Sequence, residues 1–288
     1  LLYATETWRK SLDMDEQVVV ASLDLSKAFD SIDHKILLIK LEAIGFSESA
    51  RFLIEHYLKG RTQAVKVNNV ISDWQETKYG VPQGTILGPL LFNLYVNDMG
   101  DHINCKYVQY ADDTLLFSAS KYIDVAKTDV SLNCEQLIKY FNMHKLTVNV
   151  KKTDLIFLDK NKQTQNEENS MVINGVKIPA SAEIKYLGII LDVTLSYDTH
   201  IKNIMKKMAM GIKSIRVIQS EVNLQTRMQL LHALVMSHFN YSCILLTDIN
   251  EKNKQKLNKQ LNWAMRVCLQ SYDRPRSADM RSEAKLLH

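Results

Sequence analysis

Three carboxylates in this chain sit where acids do more than solvate a surface. Asp24 closes a β-branched, apolar run, Gln17 to Leu25 (QVVVASLDL). Asp112 and Asp113 form the tip of YVQYADDTLLF, with apolar residues on both arms. An Asp-Asp pair taken alone is an ordinary turn signal, but buried strands on either side would hold these acids rigidly and close to one another. Two carboxylates ~4 Å apart repel by about 4 kcal/mol at an effective dielectric near 20, a cost that cations in the gap relieve. An all-oxygen ligand set selects hard ions such as Mg²⁺, which keep waters and take substrate phosphates as further ligands. Two such ions roughly 3.5–4 Å apart serve in-line phosphoryl transfer, one at the attacking oxygen and one at the leaving group.

The elements that must position these acids are legible as hydrophobic periods. Gln17 to Leu25 reads as a strand, and Asp33 to Ile44 as a helix with Asp33 at its cap and Gly45 as its stop. A second helix covers Ser47 to Leu58, and Thr62 to Tyr79 alternates like a hairpin turning near Asn68-Asn69. Ile86 to Met99 is an apolar helix behind a Pro/Gly loop, and Tyr107 to Ser118 is two short strands around the acidic tip. Tyr122 to His144 has helical spacing, Leu146 to Leu158 returns to strand, and Asp159 to Ser170 has no apolar side chain and reads as an exposed loop. Met171 to Ile178 and Ile184 to Leu191 are further strands. Beyond Asp192 the period is helical almost throughout. The expected division is an α+β front, residues 1–196, and an all-α back, residues 197–288.

Five segments, LDLSKAFDSIDH, YGVPQGTILGPLLFNLYVND, YADD, LTVNVKKT and IKYLGIILD, occur in the order of motifs A to E of reverse transcriptases. The chain most resembles the enzymes of non-long-terminal-repeat, jockey-like retrotransposons, over about residues 12 to 192. The resemblance implies a right-hand polymerase palm, a ferredoxin-like antiparallel sheet with helices on one face, carrying partial fingers and followed by a helical thumb. It implies that Asp24, Asp112 and Asp113 bind two Mg²⁺ ions (Mn²⁺ as a substitute), with the backbone carbonyl of Leu25 as a further ligand. Phe29 matches the aromatic residue beneath the incoming sugar, where a 2′-hydroxyl would collide. Gln83 and Gly84 match the motif B loop against nucleotide and template, where a glycine permits close backbone approach. Lys152 matches the motif D lysine that protonates the leaving pyrophosphate; strand alternation would send Lys151 to the other face. Tyr186, Leu187 and Gly188 match the primer-gripping hairpin of motif E. Asp30, Asp33 and His34 also match, and capping with local hydrogen bonds explains them.

Charge is divided along the chain. Residues 1–196 carry a net −4 and residues 197–288 a net +8, an acidic front and a basic back suited to a polyanion. Ile201, Ile204, Met205, Met208, Ile212 and Ile215 form an apolar stripe, while Lys202, Lys206, Lys213 and Arg216 lie elsewhere on the same helix. The Lys252–Lys259 run is either a second phosphate-contacting face or a solvated one. Cys105, Cys134, Cys243 and Cys268 are widely spaced, with no CxxC pair, which favours core packing over zinc or disulfides. No apolar run approaches the ~20 residues of a membrane span.

The partners implied are an RNA template, a DNA primer and deoxynucleoside triphosphates, with no membrane. Synthesis would take place in the nucleus and a ribonucleoprotein stage in the cytoplasm. The first residue is not Met and falls inside a helical pattern. The expectation is therefore that fingers strands and an endonuclease domain lie upstream in a longer parent. Residues 1–288 alone would bind nucleic acid and Mg²⁺ but extend primers weakly or not at all. The rival expectation is a domesticated nucleic-acid-binding module without robust polymerisation.

Overall fold

The structure is a computed structural model that describes residues 1–160, 169–247 and 249–271. Most of the expected Asp159–Ser170 loop lies outside the described residues. The chain forms two compact units. The first comprises Leu1 and Glu6–Ala182; the second comprises Leu2–Thr5 and the residues from Glu183 onward.

The first unit opens with α1 (Leu2–Asp13, its first turn counted with the second unit), β1 (Gln17–Leu23), β2 (Leu25–Ser26) and a 3₁₀ turn at Ala28–Asp30. Helices α2 (His34–Ile44) and α3 (Glu48–Leu58) follow. Asp33 caps α2 by accepting the Lys35 and Ile36 N–H groups, and Gly45 ends it at φ 100°, so both sequence signals act as read. Ser47 caps α3. The next 18 residues form a two-tier hairpin, β3 (Thr62–Gln63) with β6 (Gln75–Glu76) and β4 (Lys66–Val67) with β5 (Val70–Ile71). Asn68 and Asn69 turn it, both at positive φ, as a primed hairpin turn demands. Then come α4 (Leu87–Tyr95), β7 (Lys106–Tyr110), β8 (Asp113–Ser120), α5 (Ile123–Met143), β9 (Thr147–Val148) and β10 (Asp154–Leu158). The unit closes with the hairpin β11 (Ser170–Ile173) and β12 (Val176–Pro179).

The central sheet is antiparallel in the order β10-β1-β8-β7, the split β-α-β-β-α-β arrangement. Val19, Ala21 and Leu23 of β1 face the main core with α5 residues Val130, Cys134, Leu137 and Phe141. The sheet is not covered on one face only, as the sequence led us to expect. Val18 and Val20 are fully buried on the opposite side, where Trp8 of α1 meets Phe117 edge-on at 5.6 Å. An unbroken apolar run such as VVVA needs a double cover, because alternation sends every second side chain to the other face.

Leu146 to Leu158 also departs from expectation. It is not one strand: a 3₁₀ turn at Val150–Lys152 separates β9 from β10. Asn149 N–H donates to the Asp24 carbonyl at 2.8 Å, and this tie to the β1–β2 break redirects the chain.

In the second unit, β13 (Glu183–Tyr186) and β14 (Ile189–Asp192) pair as a hairpin. They are followed by α6 (Asp198–Ile218), α7 (Leu224–Leu231), α8 (Ser237–Asn240) and α9 (Glu251–Leu269). The Asp192 carboxylate accepts the Thr194, Ser196 and Tyr197 N–H groups and so fixes the turn from β14 into α6. Burial works against that charge, but these bonds prevail and hold its pKa below the ordinary value. On α6, Ile201, Ile204, Met208, Ile212 and Ile215 are buried as the stripe implied. No helix of the described residues is long and apolar enough to cross a membrane.

Candidate active site at the acidic end of the sheet

Backbone register brings the three acids together. The β1–β8 ladder ends at Leu23 opposite Thr114, so one further step sets Asp24 across from Asp113. On the other side of β8, Tyr110 pairs with Asp113, which leaves Ala111 and Asp112 as a two-residue turn. Ala111 sits at φ 54°, a left-handed conformation that costs a non-glycine residue about 1 kcal/mol. Its carbonyl is braced by Gln109 Nε2 at 2.9 Å. Strain of this kind, held at a loop tip by the surrounding strands, is common at working sites.

All three side chains are half-buried. Burial pushes the Asp113 carboxyl above its usual range, and the charges of Asp112 and then Asp24 push it further. The acids therefore feel one another. Lys152 Nζ lies 3.6 Å from Asp24 Oδ2, but 69% of its side chain is exposed, so the pair is worth little in water. Lys152 reaches Asp24 from the 3₁₀ turn. Strand alternation therefore does not distinguish it from Lys151.

A fourth acid escaped sequence reasoning. Asp154 lies opposite Ser22 on the far side of β1, and burial followed by the Asp24 charge raises its carboxyl. Nothing in the local pattern marks it, because its proximity depends on the pairing of β1 with β10.

Among the described residues, no three His, Cys, Asp or Glu side chains converge tightly enough to cage a metal by themselves. The donor set still suits a hard divalent ion, which takes one or two carboxylates and fills its shell with water and phosphate oxygen. The resemblance also nominates the Leu25 backbone oxygen for that set. The Asn149–Asp24 bond makes 24/149 the hydrogen-bonded pair, so 25/148 is the open pair of the ladder. The Leu25 carbonyl accordingly points away from β9.

Beside the acids, the 28–30 turn is fastened to the loop at 80–84. Val81 N–H donates to the Phe29 carbonyl and Gly80 N–H to the Ile32 carbonyl, each at 2.8 Å. The Phe29 ring is half-buried and stacks on Phe92 at 4.8 Å. Gln83 Nε2 donates to Asp30 Oδ1 at 2.9 Å. Gly84 stands at φ 74° with open space around its missing Cβ, so its requirement is torsional. Gly80, by contrast, is closely packed: a Cβ there would lie 2.8 Å from the Asp30 backbone. A cleft of about 840 Å³ opens alongside, with Lys27, His34, Arg61 and Lys78 in its walls.

The remaining expected site residues belong to the second unit. Leu187 and Gly188, at φ 47° and 77°, turn the β13–β14 hairpin, and the Leu187 carbonyl accepts from Tyr241 Oη at 2.7 Å. Tyr186 is buried rather than presented to solvent. Lys202 and Lys206 are exposed on α6, opposite its buried stripe. The hairpin that carries motif E thus groups with the helices, ahead of residue 196.

Residues 4–191 match the family described as reverse transcriptase (RNA-dependent DNA polymerase). The chain is 29% identical over 206 residues to the RNA-directed DNA polymerase from mobile element jockey of Drosophila melanogaster, covering 68% of this chain and 22% of that protein. It is 24% identical to the probable RNA-directed DNA polymerase from transposon X-element of the same fly, covering 77% and 25%. The chain thus spans about a quarter of the length of these relatives. Among solved structures, apo telomerase from Candida tropicalis superimposes with a TM-score of 0.49 at 12% identity, over 92% of this chain and 49% of that one.

Proposed function

We propose, from the premise that this chain belongs to the reverse transcriptase family, that it is the palm, partial fingers and thumb of an RNA-directed DNA polymerase from a jockey-like retrotransposon. It would extend a DNA primer on an RNA template with deoxynucleoside triphosphates. The observation that carries this reading is the register that sets Asp24 beside Asp113 and the adjoining Asp112, since phosphoryl transfer needs those acids at one point.

Asp24, Asp112 and Asp113, with the Leu25 carbonyl, would hold two divalent ions, Mg²⁺ or in substitution Mn²⁺. When bound, the ions would lower the cost of forming the attacking 3′-oxyanion and neutralise charge on the departing pyrophosphate. The rigid strands contribute by holding the acids in place before substrate arrives, so that little reorganisation remains at the moment of reaction. Lys152 sits within reach of the same point and supplies the proton that pyrophosphate needs on leaving. Phe29, backed by Phe92, forms a firm wall beneath the sugar, so a ribose 2′-hydroxyl meets a ring that cannot retreat. Gln83 and Gly84 present side-chain amide and bare backbone to the nucleotide and template. Tyr186, Leu187 and Gly188 support the primer strand, and Lys202 and Lys206 contact duplex phosphates. The parent protein would carry an endonuclease upstream and act in the nucleus, with a cytoplasmic ribonucleoprotein stage.

Primer extension on an RNA template tests this reading. Deoxynucleotides should be incorporated in preference to ribonucleotides, and Phe29→Ala should narrow that preference. Ribonucleotide incorporation equal to deoxynucleotide incorporation by the unaltered chain would contradict it.

A further inference from the structure

The ties between the 28–30 turn and the 80–84 loop exceed what holding the loop requires. Two backbone hydrogen bonds, Val81 to Phe29 and Gly80 to Ile32, already pin it. His34 Nε2 adds a third tie at 2.7 Å to the Gly80 carbonyl; a carbonyl only accepts, so that nitrogen carries the proton. Gly80 packs directly on the Asp30 backbone. None of these ties uses the Asp30 side chain.

That side chain accepts a hydrogen bond from Gln83 Nε2 at 2.9 Å, with both residues exposed. Water competes for both groups there, so the bond adds little to folding. Its effect is directional. A carboxylate only accepts, whereas a glutamine amide has a donor end and an acceptor end. The bond therefore selects the flip that keeps nitrogen on the Asp30 side and turns Oε1 away from it.

We infer that Asp30 is a positioning residue for the incoming nucleotide: it locks Gln83 in the one amide orientation that offers Oε1 as an acceptor to a hydroxyl or N–H of that nucleotide. The inference rests on the polymerase reading above. Asp30→Ala releases the amide. Asp30→Asn is nearly isosteric but can donate or accept, so it permits both flips. Because the backbone ties remain in each variant, the loop itself stays in place.

The test combines single-nucleotide incorporation kinetics with side-chain amide NMR, using the 288-residue chain and its Asp30→Ala, Asp30→Asn, Gln83→Ala and Asp30→Ala/Gln83→Ala variants. Asp30→Ala and Asp30→Asn should each raise KM for the deoxynucleotide about threefold, the loss expected when a solvent-exposed hydrogen bond no longer selects the amide flip. The maximal rate and the affinity for primer–template should hardly change. The double variant should be no worse than Gln83→Ala, because Asp30 acts through Gln83. In ¹⁵N-labelled protein, the amide signals that vanish in Gln83→Ala should shift in Asp30→Asn. Multiplying losses in the double variant, or Gln83 signals that ignore Asp30→Asn, would overturn the inference. The amide readout needs no turnover. Ribonucleotide incorporation equal to deoxynucleotide incorporation therefore sinks the polymerase reading, while an indifferent Gln83 signal sinks this one.

Discussion

The two units carry charge in opposite ways. In the first, Asp24, Asp112 and Asp113 are half-buried at the end of a sheet whose pairing sets their separation to within a residue. In the second, Lys202 and Lys206 project from one exposed helical face while an apolar stripe anchors the other. Partly buried charges at close range act strongly on whatever enters between them, and screening by salt reaches them poorly. Exposed charges on long side chains act weakly, additively and through the ionic atmosphere. We propose that chemistry belongs to the first setting and grip to the second.

If that contrast is right, damage to the acids should be out of proportion to damage to the lysines. Asp24→Ala should lower the extension rate by about a thousandfold or more, as loss of a principal electrostatic group does, measured by single-turnover kinetics. Lys152→Ala should cost about a hundredfold in the same assay, the usual contribution of one general acid. Gly80→Ala forces a Cβ to within 2.8 Å of the Asp30 backbone at φ 83°, and should destabilise the first unit by about 3 kcal/mol in denaturant unfolding. Lys202→Ala and Lys206→Ala should leave the rate at saturating primer–template intact. Each should flatten the salt dependence of binding by about one unit of slope.

The smallest effect concerns stability without metal. Burial and neighbouring charge raise the Asp113 carboxyl, so its proton is held more tightly in the folded state than in the unfolded one. The resulting penalty on folding is fully present above the raised value and fades as pH falls toward the ordinary carboxylate range. Asp113→Asn should therefore raise the melting temperature of metal-free protein at neutral pH, and the gain should shrink on acidification.

The same contrast explains what the sequence disclosed. The Asp33 cap, the Gly45 stop and the Asn68-Asn69 turn are each encoded within a few residues, and each formed where read. The acidic tip formed one residue early, at Ala111–Asp112, with Asp113 already in β8. The α6 stripe is local too, being a helical period. What could not be read depends on partners remote in the chain. Asp154 approaches Asp24 only through β1–β10 pairing. Gly80 matters only because Asp30 lies against it. The break at Val150–Lys152 is imposed by the Asn149–Asp24 bond, and the second cover of the sheet needs Trp8 to arrive from α1. Family resemblance supplied roles for Phe29, Gln83 and Lys152 that their residue types alone do not announce. The register adds the means by which Asp24 meets the acidic turn.

That meeting is most directly tested by anomalous scattering from crystals of the 288-residue chain soaked with Mn²⁺. The account predicts manganese between the side chain of Asp24 and the Asp112–Asp113 pair, within coordination distance of both. Manganese bound elsewhere, with Asp24 turned away from that pair, would contradict it.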